Sequence, residues 1–330
     1  MKAIKFFAIS AMAAAMITSC SSEDELSQSN YPSDNIVRVT AGVNNAKTRA
    51  EGAGTEMKND FSLTIVNKNA PKYTYTDKVF SKTSGDWACS ETLLWQKSDA
   101  LVDIVAFAPA QTGKFNGVYA NGSIQPIAYS VASDQSSDQS TSSDNNDLLY
   151  YYAKNFNPGE SLDKGKLNIQ FNHAFCMIDI NVTLGTEFNK PSIPTTSPIV
   201  KVTLGGTKIA ANVDVTNAAS VVTASGEATA TDITTTNGSF TTAADPEKNA
   251  ISRFSCIAIP QTVAANTFKV SLMTAGKRYE WTSADKVELK SGYKYTLNLS
   301  MGNDVVLLKG GSISATPWTE ITSDKPLETD

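Results

Sequence analysis

From Asn35 onward the chain is written in short runs of alternating apolar and polar residues, broken by turn residues. That two-residue period constrains the fold more than any other feature. Successive side chains of a strand point to opposite faces, so alternation buries one face and leaves the other in water. The runs at 36–43, Phe61–Val66, 103–108, 200–204, 254–259, 267–273 and 293–299 are rich in Val, Ile, Thr, Tyr and Phe, which suit a half-buried pleated surface. In the last run Tyr293, Tyr295, Leu297 and Leu299 share one face, and Lys294, Thr296 and Asn298 the other. No long stretch repeats apolar residues at helical spacing behind an N-cap, so an all-β protein with few, short helices is expected. A length of 330 residues is material for about two domains. The Pro158-Gly159 turn divides the chain best, giving sandwiches over 35–160 and 161–330.

One segment departs from simple alternation. Leu167, Ile169, Phe171, His173 and Phe175 share one parity, whereas Ile178, Ile180, Val182 and Leu184 share the other. Such a change requires a bulge, or a strand whose second half serves a different face. His173, the only histidine, falls in the apolar set and reads as a hydrogen-bonded core residue rather than a ligand or base. A single imidazole excludes sites that need two from one chain, which removes most zinc hydrolases. The net charge of −5 provides no basic footprint, so nucleic acid is not expected as a partner. No motif sets two carboxylates across a sugar, as a glycosidase requires. The expectation is therefore a non-enzymatic protein with no catalytic, cofactor or metal site.

Residues 133–147 contain only Ser, Asp, Gln, Thr and Asn, a composition that buries nothing and reads as a long exposed loop. Asp134, Asp138, Asp144 and Asp147 could offer oxygen ligands to calcium, but the spacing and terminal Glu of a calcium loop are missing. Cys89, Cys176 and Cys256 form no C-x-x-C pair and read as small buried hydrophobes, with one disulfide at most.

The N-terminus reads as an address. Lys2 and Lys5 precede the twelve-residue apolar run 6–17, followed by Thr18, Ser19 and Cys20. The run is shorter than the ~20 residues of a membrane-spanning helix and has the layout of a signal peptide. A cysteine after small residues at this point looks like the lipobox of bacterial lipoproteins. The resemblance implies a signal peptide over 1–19, lipidation of Cys20 and an acidic tether over 20–34. Ser21-Ser22-Glu23-Asp24-Glu25 resembles the export signal of Bacteroidetes surface lipoproteins.

Several fragments taken in order resemble the fimbrillin family, the Mfa-like subunits of type V pili of Bacteroidetes. They are Val37-Arg38-Val39-Thr40-Ala41 leading to Thr48-Arg49-Ala50, Trp95 with Val105-Ala106-Phe107-Ala108-Pro109, and Asp147-Leu148-Leu149-Tyr150. Phe171-Asn172-His173-Ala174, the run 293–299, and Ile313 with Pro317-Trp318 complete the set. The resemblance implies two tandem transthyretin-like β-sandwiches and a structural or adhesive pilus subunit. It further implies cleavage at Arg49–Ala50, which frees the first strand, and a C-terminal donor strand that fills a neighbour's groove. Val305, Leu307, Ile313, Ala315 and Trp318 are the candidate donor residues, with 305–308 alternatively a strand of its own domain. Expected partners are other pilus subunits, the outer membrane through the N-terminal lipid before processing, and a host or bacterial surface ligand. The alternative reading is a surface glycan-binding lipoprotein, with Tyr150-Tyr151-Tyr152 and Trp87 as the aromatic platform.

Overall fold

All seven residues of the strand Val102–Ala108 are buried, and they serve two cores at once. Ile104, Ala106 and Ala108 pack into one, Val105 and Phe107 into the other. The computed structural model describes residues 30–44, 55–57, 59–111, 113–136, 146–309 and 313–318. It is nearly all strand, with the helical content confined to single turns such as Pro158–Ser161. There the Asn157 side chain accepts a hydrogen bond from the Gly159 amide, satisfying one of the amides a helix start leaves open.

The first sheet has eight strands, in the order Thr55–Glu56, Arg38–Val43, Lys166–His173, Leu149–Phe156, Val102–Ala108, Phe61–Val66, Tyr75–Thr83 and Asp86–Cys89. Its two ends curl towards each other: Lys166 Nζ reaches 3.6 Å from Asp86. The Phe61 ring packs 4.9 Å from Trp87 and 5.5 Å from Phe171. Leu167, Ile169 and Phe171 are fully buried in this core, each contributing about 1.5–3 kcal/mol relative to exposure.

The second core lies between two further sheets. One runs Thr236–Thr241, Ile251–Ala258, Cys176–Leu184, Tyr293–Met301, with Val306–Leu308 and Ser314–Pro317 both on the free edge of Tyr293–Met301. The other runs Ile233–Thr234, Ile199–Gly205, Lys269–Thr274, Arg278–Thr282. Ile178, Ile180, Leu297 and Leu299 of the one meet Val202, Leu204, Val270 and Leu272 of the other.

The parity change of 167–184 is where the chain crosses between sheets. Lys166–His173 ends in the first sheet, a bend follows at Ala174-Phe175, and Cys176–Leu184 begins in the second. Lys166–His173, assigned from sequence to the second sandwich, pairs in parallel with Arg38–Val43. Ile127–Ser130, assigned to the first, pairs with Ala210–Val213 of the second half. By strand pairing, then, the crossing falls at Ala174-Phe175 rather than at Pro158-Gly159. The three thiols Cys89, Cys176 and Cys256 are free.

Candidate functional site

The surfaces that could mediate assembly are the two strand edges nearest the chain ends. Val37, Val39 and Val43 are buried in the first core while Arg38 and Thr40 face solvent, as the alternation of 36–43 predicts. The strand is in register with Lys166–His173 from Arg38↔Lys166 to Val43↔Phe171. On its other side, among the described residues, only Thr55–Glu56 pairs with it, opposite Gly42 and Val43. Arg38 and Asp34 form a two-pronged ion pair. The Arg38 guanidinium holds the Asp34 carboxyl down at about 2. Cys20, Arg49 and Ala50 lie outside the described residues.

The C-terminal run lies antiparallel along Tyr293–Met301, with Leu308 opposite Leu299 and Ala315 opposite Tyr295. The register slips by three residues between the two halves. Val306 is buried, Leu308 and Ile313 are half-buried, and Val305 and Leu307 are 50% and 59% exposed. Ser314–Pro317 is exposed throughout, Ala315 included. On its own sheet, then, this segment buries few of the side chains proposed as donors.

Trp318 is the exception. Its ring stacks on His173 with centroids 3.7 Å apart and planes 13° from parallel. His173 Nδ1 in turn lies 3.1 Å from both carboxylate oxygens of Asp147. Gly292, at φ +70°, ties the group together: its amide donates to the Phe175 carbonyl and its carbonyl accepts from the Trp318 amide at 2.7 Å. The positive φ favours glycine here. His173 is thus a core histidine, as its parity indicates. Its partners, 26 residues upstream and near the chain's end, have no short-range sequence signal.

The described ends of the polar run 133–147 are both anchored. Gln135 is fully buried and exchanges hydrogen bonds with both the amide and the carbonyl of Ile257, at 2.8 and 2.9 Å. Asn146 accepts from the Ala132 amide at 2.6 Å. Of the four acids weighed for calcium, Asp134 accepts from the Ser136 amide within its own turn and Asp147 holds His173. Asp138 and Asp144 lie outside the described residues. No group of three metal-ligating side chains occurs among the described residues.

The aromatics considered as a sugar platform are packed instead. Tyr150 and Tyr152 lie half-buried against the second core, Tyr151 and Trp87 against the first. Burial raises all three phenol pKa values.

Comparison with known proteins agrees with this architecture. A family model described as fimbrillin-like matches residues 48–318. Among solved structures, a proposed cell adhesion protein from Bacteroides ovatus aligns over 87% of this chain and 98% of its own, with TM-score 0.60 and 17% identity. A second proposed cell adhesion protein, from Bacteroides uniformis, covers 87% and 100%, with TM-score 0.55 and 16% identity. A fimbrial protein from Bacteroides vulgatus covers 86% and 99%, with TM-score 0.52 and 15% identity. At these identities the structures speak to the fold. No curated protein matches the chain.

Proposed function

The chain belongs to the fimbrillin-like family, and from that premise we propose that it is a fimbrial subunit exported as a surface lipoprotein, cut after Arg49, and polymerised by donor-strand exchange. The observation that carries this reading is the strand Arg38–Val43. It lies one place from the sheet edge and, with Val37 just before it, inserts three valines into the first core. Apart from two residues of Thr55–Glu56, its pairing partner is Lys166–His173.

A cut after Arg49 would leave this strand held by backbone hydrogen bonds and by Val37, Val39 and Val43. Those three side chains contribute together roughly 5–9 kcal/mol, so the strand would leave only as another takes its place. A replacement needs alternating apolar residues and a free backbone. The C-terminal run offers both: Val305, Leu307, Ile313 and Ala315 share one parity, and the run lies on the outer edge of its sheet with its final four-residue strand exposed, so one side of its backbone is open to a new partner. Cys20 would anchor the precursor in the outer membrane until the cut, after which subunits associate at the cell surface.

Limited trypsin treatment of the delipidated protein, followed by intact mass and size-exclusion chromatography, tests the reading. The expected result is one early cut after Arg49, then heat-labile oligomers, with Arg49→Gln blocking both. A protein that is cut there and stays a stable monomer would rule out exchange between identical subunits.

A further inference from the structure

We infer that the outer face of the second core's Tyr293–Met301 sheet holds a binding site for an acidic saccharide, one bearing carboxylate or sulfate groups. Strand register lines up four side chains in a row straight across the sheet. Arg253 stands opposite Asn181, and Asn181 opposite Asn298. The Lys309 amide bonds the Asn298 carbonyl at 2.6 Å, which puts Lys309 next in line. These four residues, with Thr183 and Ile251, line an open hollow of about 450 Å³. Adjacent strands are ~4.8 Å apart, so the two cations stand at the ends of a row roughly 14 Å long.

The chemistry of the row selects the ligand. In a chain of net charge −5, this hollow carries two cations and no acid. Asp179, on the same face of the strand Cys176–Leu184 as Asn181, is already paired with Lys294 at 2.5 Å. Arg253 is fixed by hydrogen bonds to Thr241 Oγ1 at 2.9 Å and Ser239 Oγ at 3.5 Å. Those bonds occupy one nitrogen, and the rest of the guanidinium fork suits a carboxylate or sulfate. Between the cations, Asn181 Nδ2 donates to Asn298 Oδ1 at 3.0 Å. That bond orients two amides whose remaining donors and acceptors match sugar hydroxyls. A protein strand would instead pair along a backbone edge, whereas this row runs across the face of the sheet, over the strands. An acidic polymer with hydroxyls between its charges fits the row; an apolar partner does not.

The site is one of the folded monomer before any strand exchange, because Lys309 lies in the C-terminal run that the polymerisation reading hands to a neighbour; the test therefore uses the uncut protein. Isothermal titration of the intact delipidated protein with oligogalacturonate tests the carboxylate form, and a sulfated chondroitin oligosaccharide tests the sulfate form. At least one is expected to bind, more weakly as salt rises, while methyl-esterified oligogalacturonate does not. Arg253→Gln should lower the affinity about tenfold with an unchanged melting temperature. Lys201→Gln, an exposed cation on the opposite sheet, should leave it as it is. Binding by neither acidic probe, or equal binding by the Arg253→Gln variant, would overturn the site. Stronger binding of poly-glutamate than of either saccharide would overturn the ligand class.

Discussion

Trp318 lies flat against His173, ring centre to ring centre 3.7 Å, so the last described residue of the chain is seated on a histidine whose imidazole is held by Asp147. The exposed strand before it owes much of its place to this one side chain. Trp318→Ala should cost about 3 kcal/mol of the segment's seating. Hydrogen exchange should report it as faster exchange at 293–296 and 314–317, with the first core unaffected. Trp318→Phe, which keeps a ring on His173, should fall between the two.

The first strand offers a paired test of face. Val39 is 4% exposed, whereas its neighbour Thr40 faces solvent. Val39→Ala should lower unfolding free energy by about 2 kcal/mol. Thr40→Ala should change it by less than about 0.5 kcal/mol. Urea denaturation of the uncut protein measures both.

Thiol chemistry should separate Cys89, Cys176 and Cys256. Cys176 and Cys256 are buried, burial pushes both thiols well up, and Cys176 also donates to the Ala258 carbonyl at 3.1 Å. Cys89 is half-buried at the end of the strand Asp86–Cys89. Of these three, a thiol-specific reagent should label only Cys89 in the native protein, and all of them after denaturation.

The C-terminal edge should weaken in alkali. Burial pushes the Tyr295 phenol up to about 12, against the opposing effect of the Lys290 amide that donates to its oxygen at 2.8 Å. The unfolded phenol ionises near ~10. The folded state therefore keeps this contribution in full below pH ~10 and loses it as pH rises through about 12. Melting temperature should fall more steeply over that window in the parent than in Tyr295→Phe.

What the sequence revealed followed from locality. Alternation in 36–43 and 293–299 gave the buried faces, because a period of two fixes which side chains share a surface. The parity change around Phe175 marked a real event, the passage of the chain from one sheet to the other. The pairing of Lys166–His173 with Arg38–Val43 joins residues 128 apart in sequence, and no local pattern encodes it. The Pro158-Gly159 turn was a visible punctuation mark, but it precedes a strand the first sheet retains. The same limit hid the Asp147–His173–Trp318 group and the row from Arg253 to Lys309: each residue alone is an ordinary polar or aromatic side chain, and register alone brings them together.

The strand Val102–Ala108 has a mechanical consequence. Two domains on a linker swing independently and give way at the joint, but here one strand is simultaneously the wall of both cores. Pulling on either end therefore loads a shared beam. The protein should respond to tension as one stiff element, extending in a single rupture event rather than in two steps.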